Sequence, residues 1–255
     1  MVKRLTLQAL AIATFIALWW AAATYANSQL LPTPWQTFKE FTHILSSSKG
    51  WESIGNTAFR VLMGTLIGLL AGTLLAITTR YSRLAEVAVR SVIYPLLQSV
   101  PSICWALMLV IWFGLSQTAP ILVIAVAVAP FFIINIWEGL KELDMSLVEM
   151  ASTYTHSRLK ILGKVIMPML YSYIFAAVKS SFMVAWKVVI LAEVLGAVSG
   201  IGYMLWISYQ VYNIDRVFAW TMVSAIIIIA FDYGIFNYVD RRFIRRWKPQ
   251  ELKPS

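Results

Sequence analysis

Long apolar runs alternate with short polar breaks along this chain, and the runs outlast anything the core of a soluble domain would use. Crossing the hydrocarbon layer as helix takes about 20 mostly apolar residues. Six segments meet that need: Leu5 to Ala26, Asn56 to Thr79, Ser91 to Phe113, Ala119 to Leu140, Met169 to Leu195 and Val217 to Val239. The expected fold is an all-α polytopic membrane protein with six transmembrane helices. The third segment contains Pro95 and Pro101, so it is expected to be kinked or displaced; no water in the bilayer satisfies a broken backbone hydrogen bond, and such prolines face protein or a wet pathway. The first segment exceeds a signal-peptide apolar region, and Trp19 and Trp20 near its end read as interfacial anchors, so it is expected to be a retained helix.

The polar breaks carry their own patterns. After the first span, Leu31-Pro32-Thr33-Pro34 leads into an amphipathic stretch, Trp35 to Leu45, expected to lie as a helix on the membrane surface. Gly64, Gly68 and Gly72 place a small-residue stripe on one face of the second span, where another helix can approach closely. Between the fifth and sixth spans, Gly196 to Arg216 is rich in glycine and then aromatic, as expected of a surface helix or a segment folded partway back. The most distinctive break is a polar island, Gly139 to Pro168, in which Leu147, Met150, Ala151 and Tyr154 fall on one face of a helical pattern with Glu149 and Ser152 beside it. A helix with an apolar face beside the membrane needs something to bury that face, and a partner's groove is one solution. No internal repeat or linker divides the chain, so residues 1–255 are expected to form a single transmembrane domain.

Composition agrees: 60% of the 255 residues are hydrophobic and only 13% charged. The formal net charge of +9 comes from basic residues flanking the spans, and that distribution orients the chain. With the N-terminus in the cytoplasm, the inner segments hold Lys3 and Arg4; Arg80, Arg83 and Arg90; Lys141, Arg158, Lys160 and Lys164; and six basic residues from Arg241 to Lys253. Outside remain Lys39, Lys49, Arg60 and Arg216, the last two at span ends. Both termini are therefore expected in the cytoplasm. The basic clusters are placed to meet anionic lipid rather than nucleic acid, for which no soluble basic domain exists.

Enzyme chemistry finds little support. His43 and His156 fall on opposite expected sides of the membrane and cannot share a metal, Cys104 is the single cysteine, and no G-x-x-x-x-G-K-[ST] phosphate loop occurs. The charges inside spans are the better lead, because a lysine at mid-membrane opposes insertion by roughly 2.5 to 3.5 kcal/mol. Lys179, Trp186 and Glu193 recur at intervals of seven and share nearly one helical face, as pathway lining or a subunit interface. For Lys179 three roles stand: an interhelical ion pair with Asp232 of the sixth span or with a partner's carboxylate, a pathway-lining charge, or a direct substrate contact. Lys187 lies further out and is expected to snorkel to the surface, and Glu193 reads as an interfacial carboxylate with an orienting role.

One family resemblance joins these features. Glu149-Met150-Ala151, three residues, Thr155, nine residues, and then Val165-Ile166-Met167-Pro168 resembles the EAA loop of ABC importer permeases, whose pattern is E-A-A, three residues, G, nine residues, I-x-L-P. The spacing matches throughout; Met150 stands where the family has alanine and Thr155 where it has glycine. Further stretches are similar to the branch that imports sulfonates, taurine and nitrate: the early LPTP at Leu31, Arg60-Val61 with Gly64, IWFG at Ile111 to Gly114, Lys179 where arginine is common, Trp186, Glu193, and SGIGYM at Ser199 to Met204.

The resemblance implies a type I importer permease of the bacterial inner membrane. It implies two copies of this chain, two cytosolic ATPase subunits that carry ATP and magnesium while this chain binds no cofactor, and a periplasmic or lipid-tethered substrate-binding protein. Glu149, Met150, Ala151, Thr155, Val165 and Pro168 would then form the coupling segment, a cytoplasmic helix between spans four and five seated on the ATPase. The implied substrate is a small anion such as a sulfonate, taurine or nitrate. The alternative within this class is a neutral or heteroaromatic nutrient such as a vitamin precursor, for which outer aromatic residues offer stacking surfaces. A gradient-driven carrier is a different class; it calls for proton-relaying carboxylates and a repeat, and only Asp232 lies well inside a span.

Overall fold

A computed structural model describes residues 2–26 and 30–239, and among them every regular element is helical. The helices are α1 (Val2–Ala26), α2 (Pro34–Ser46), α3 (Ser48–Thr78), α4 (Arg83–Ser99), α5 (Ser102–Phe113), α6 (Thr118–Lys141), α7 (Met145–Tyr154), α8 (Leu162–Gly196, entered directly from a four-residue helix Arg158–Ile161), α9 (Ile201–Gln210) and α10 (Ile214–Val239). Five of these, α1, α3, α6, α8 and α10, are long and apolar enough to cross a membrane. Helix is what an apolar solvent demands, since it satisfies every backbone donor and acceptor within the segment. The basic stretch from Arg241 to Lys253 lies outside the described residues.

The third expected span is where the structure departs from a straight crossing. α4 and α5 meet at 88°, so together they make a sixth span only as a bent pair. The bend falls at Val100-Pro101, both extended (ψ 121° and 139°). The helical region is sterically disfavoured for a residue before proline, and here the chain leaves the helix at Val100 and restarts after Pro101. Pro95 is accommodated differently. It follows a π-helical turn, Val89–Ile93, whose wider spacing tolerates a residue that has no N–H and would crowd the carbonyl four positions back. Gly114, at φ +67°, ends α5 while its amide donates to the Val110 carbonyl at 2.8 Å.

The chain divides into two compact units. One comprises Met1–Thr57 and Ser199–Ile227. Within it, α2 starts at a capping box: the Thr33 hydroxyl accepts from the Gln36 amide while the Gln36 side chain accepts from the Thr33 amide at 2.8 Å, and Pro34 fills the first turn. The Trp19 indole N–H donates to the Pro32 carbonyl at 3.0 Å, and its ring stacks on Phe218 at 6.0 Å. Glu40 of α2 pairs with Arg216 of α10 at 3.0 Å, and the Ile201 amide at the start of α9 donates to the buried Thr57 hydroxyl at 2.8 Å. The glycine-rich loop thus ends in a short helix tied at its N-terminus.

The other unit comprises Ala58–Val198 and Ile228–Ser255. Its centre is α6, whose Val123, Ile124, Val128, Phe132, Ile133 and Ile136 are all buried. α3 reaches α6 through its glycine stripe. A Cβ on Gly64 would sit 2.6 Å from the Ile124 Cβ and 2.8 Å from the Ile121 carbonyl oxygen, and one on Gly72 2.7 Å from the Phe132 Cβ and 2.8 Å from the Ala129 oxygen. Backbone atoms cannot yield at such distances, so only glycine permits this approach. On another side of α6, Ala106, Leu109, Val188 and Ala192 join Val123 in one apolar cluster that binds α5 and α8 to it.

Gly64→Ile should therefore overfill the contact and lower stability by about 1–3 kcal/mol, read as an earlier thermal transition of the detergent-solubilised protein. Gly163→Ala, where an added methyl meets nothing within 4 Å, serves as the control and should leave the transition in place.

Candidate coupling segment and buried charge sites

The polar island folds as a helix with an abrupt start and stop. Asp144 caps α7: its carboxylate accepts from the Ser146 hydroxyl at 2.6 Å and from the Ser146 amide at 2.9 Å. Those two bonds, the hydroxyl's first, hold its carboxyl below the ordinary carboxylate range. α7 stops at Thr155, whose amide still reaches the Ala151 carbonyl at 3.1 Å while its own backbone turns extended (φ −154°, ψ 132°). Any residue adopts that conformation, so threonine stands without strain where the resembling pattern has glycine. Its hydroxyl accepts from the Ser157 amide at 3.3 Å, which sets the turn into the next segment.

Glu149 and Met150 lie exposed on α7, with Ala151 half-buried. Met145, Leu147, Met150 and Tyr154 leave 41–86% of their surface open. The apolar face expected from the sequence is present and uncovered within this chain. Val165 falls inside a second π-helical turn, Leu162–Ile166, and Pro168 follows it in the first turn of the regular helix. The six coupling positions thus lie along one segment without meeting at a single point.

Strong connections fix the base of α7. The Arg80 guanidinium lies 3.0 Å from the Met145 sulfur, and the Tyr173 hydroxyl of α8 donates to the Glu142 carboxylate. Arg90 and Lys141 both approach the Trp137 ring, at 3.9 and 4.5 Å from its centroid. Gly139 packs so closely on Leu170 and Tyr173 that a Cβ there would sit 2.8–2.9 Å from their side chains.

The largest correction concerns Glu193 and Arg60. Rather than an interfacial carboxylate and a charge at a span end, they form an ion pair: Arg60 Nη1 lies 2.6 Å from Glu193 Oε1, with side chains 1% and 0% exposed. Arg60 Nε also donates to Gln117 Oε1 at 2.7 Å. α3 begins at Ser48, ahead of the expected start at Asn56, so Arg60 stands well inside the helix. The arrangement ties α3, the turn before α6 and α8 together. Only the resemblance around Arg60-Val61 marked this arginine; periodicity alone gave no reason to join it to a carboxylate 133 residues away.

Further along the shared face of α8, Trp186 is buried and stacks on Phe182 at 6.0 Å, whereas Lys187 is exposed. Lys179 Nζ lies 3.2 Å from Asp232 Oδ1 of α10, and those side chains keep 35% and 26% of their surface open. Asp232 belongs to a third π-helical turn, Phe231–Phe236. The expected single face of Lys179, Trp186 and Glu193 is therefore interior at Trp186 and Glu193 and partly open at Lys179.

Breaking a buried pair strands the surviving charge. Arg60→Met or Glu193→Leu should each cost about 3–5 kcal/mol, whereas the double substitution should recover most of the loss; thermal unfolding of the four proteins checks this. At α7 the pH dependence has a definite sign. Because the Asp144 carboxyl is held low in the folded state, its capping contribution is complete above the ordinary carboxylate range and is lost as pH falls through the depressed value. Amide exchange at Ser146 should accelerate over that acid window, and Asp144→Asn should remove the pH dependence while keeping an acceptor at the cap.

Comparison with known proteins places the arrangement. Residues 64–246 match the family described as "Binding-protein-dependent transport system inner membrane component". The chain is 27% identical over 236 residues to the putative aliphatic sulfonates transport permease protein SsuC of Escherichia coli K12, covering 92% of this chain and 89% of that one. It is 24% identical over 243 residues to the taurine transport system permease protein TauC of the same strain, covering 91% and 87%. Its fold is similar to a chain of a crystallised bacterial ABC transporter involved in import of the acidic polysaccharide alginate, with TM-score 0.60 at 19% identity over 95% of this chain and 97% of that one. A chain of the inward-facing MetNI methionine ABC transporter aligns with TM-score 0.56 at 19% identity, covering 84% and 97%. The glycine-packed helices, the paired intramembrane charges and the capped polar helix therefore belong to a multi-pass transport subunit rather than an enzyme, and the chain is a member of the binding-protein-dependent transport system inner membrane component family, the permeases of ABC importers.

Proposed function

We propose that this permease carries a small organic anion of the sulfonate class, delivered by a binding protein, and that α7 is the helix through which separate ATPase subunits drive it. The coupling role rests on one observation above the others: α7 is capped at Asp144, fixed at its base through Glu142 and Arg80, and yet exposes Met145, Leu147, Met150 and Tyr154 around Glu149. A short helix held this firmly with its apolar residues open is suited to seat in a partner's cleft. The EAA spacing supports the same assignment, and Thr155, unstrained in its extended conformation, is compatible with it.

Two copies of this chain, two ATPase subunits holding ATP and magnesium, and one binding protein would complete the transporter. The positive-inside bias supports a cytoplasmic side for α7 and both termini. The sulfonate class is supported by the named roles of the SsuC and TauC relatives. Family membership replaces the gradient-driven carrier considered from the sequence.

Glu149→Lys should leave the permease in the membrane but reverse the charge at the docking helix. The co-purifying ATPase, and with it ATP hydrolysis stimulated by loaded binding protein, should fall at least tenfold; a pull-down in mild detergent with an ATPase assay reads both. Wild-type stimulation in this variant would remove α7 from the coupling role. Uptake of labelled ethanesulfonate by vesicles holding the complete transporter tests the substrate class.

A further inference from the structure

We propose that the Lys179–Asp232 pair faces the water-filled translocation route at mid-membrane and that Lys179 is the cation an anionic solute meets there. The proposal rests on the importer reading above and adds a pathway site to it. Lys179 lies ten residues past Met169, where the apolar run begins, and sixteen short of Leu195, where it ends, about 15 Å and 24 Å along the axis at about 1.5 Å per residue. A lysine stem spans only a fraction of either distance, so snorkelling to either surface is closed to Lys179.

The chain shows two ways of treating an intramembrane ion pair. Arg60 and Glu193 are sealed to 1% and 0% exposure, at 2.6 Å, with Gln117 engaging the guanidinium as well. Lys179 and Asp232 keep 35% and 26% of their side chains open at 3.2 Å, and Asp232 Oδ1 receives no hydrogen bond of good geometry. Oδ1 itself is buried beside the ammonium, so the capacity for another partner lies with the open part of Lys179. Open charge at this depth facing lipid would be costly, and the side that stays open faces water in proteins that move solutes.

The backbone and the neighbouring rings fit the same use. Asp232 stands in the π-helical turn Phe231–Phe236, an irregularity frequent at functional sites. Phe182 lies 4.8 Å from Phe231 and 5.3 Å from Phe236, centroid to centroid, and with Phe182 and Phe236 buried this ring cluster backs the pair one turn along α8 from the ammonium. An anionic group entering the route competes with Asp232 for Lys179. Asp232 supplies the counter-charge when no anion is present.

Ala176 is exposed one turn before Lys179 on the same face and reports the site without touching the pair. In a Cys104→Ser background, Ala176→Cys in the complete transporter in nanodiscs should react with both an anionic and a cationic methanethiosulfonate reagent. Lys179→Gln should shift the anion-to-cation rate ratio about tenfold toward the cation, and Asp232→Asn about tenfold the other way. Lys179→Arg should keep the wild-type ratio. If a single variant fails to assemble, the double variant Lys179→Gln/Asp232→Asn leaves no stranded charge and should remain labelled. Absence of labelling at Ala176→Cys in the assembled transporter, with labelling in the isolated chain, would mean that a second copy covers this face and would overturn the proposal. So would a ratio that neither substitution moves. Charge-steered labelling without ethanesulfonate uptake would overturn the substrate class alone and leave the pathway assignment standing.

Discussion

A charge can be kept inside hydrocarbon only with its counter-charge beside it, and the Arg60–Glu193 pair shows how far that requirement organises this chain. Both groups lose nearly all contact with solvent, so each helix must deliver its charge in register with the other. Gln117 occupies a further donor of the guanidinium from the turn before α6, and the backbone around it is held as well, with the Ser116 amide donating to the Gly196 carbonyl at 3.2 Å. The glycine stripe of α3 is needed for the same reason. Without the close approach that Gly64, Gly68 and Gly72 allow against α6, Arg60 would stand further from Glu193, and a pair separated in a low-dielectric interior loses much of the attraction that offsets its desolvation.

Two of the three π-helical turns among the described residues share a second constraint. Val89–Ile93 precedes Pro95 and Leu162–Ile166 precedes Pro168, each proline lying two residues past its turn. The residue four before each proline, Ser91 or Lys164, falls inside the turn, so the widened spacing relieves the clash with its carbonyl and the lost hydrogen bond together. Pro130, in the interior of α6, lies where no such turn is present, so proline alone does not dictate the irregularity. The third turn, Phe231–Phe236, has no proline and holds Asp232, which sets it apart as the one that carries a charge at membrane depth.

Hydropathy made the spans legible because it reports directly on the surrounding solvent. It placed α6 and α10 within a few residues of where they fold; Pro95 and Pro101 both marked the third span as interrupted, and the chain breaks at Pro101 alone. It missed the first eight residues of α3 because Ser48 to Gly55 are polar: apolarity marks where lipid begins, whereas a helix extends as far as its backbone bonds propagate. α7 was legible as a period within a polar segment; its cap at Asp144 was not read from the sequence, although the residue type suits one. The Lys179–Asp232 pair was one of the alternatives left open in the sequence, because each residue was conspicuous in an apolar run. Arg60 and Glu193 lay near span ends, where charge is cheap, and nothing local distinguished an interfacial carboxylate from a sealed one.

These constraints together determine what α7 can transmit. Only three residues, Glu142 to Asp144, separate it from α6. One of them accepts from Tyr173 of α8, and Gly139 is pressed against the same tyrosine. A displacement of the N-terminal end of α7 is therefore delivered to α6 and α8 rather than absorbed in a slack loop. Those two helices are in turn held to α3 by Arg60, Glu193 and the glycine contact, and separating the pair would strand two charges at a cost of several kcal/mol. The C-terminal end of α7 leads through an extended Thr155 into the four-residue helix Arg158–Ile161 and the widened spacing of Leu162–Ile166. The two ends therefore differ: side-chain contacts from Arg80 and Tyr173 hold the N-terminal side, and the chain beyond the C-terminal end returns directly into α8.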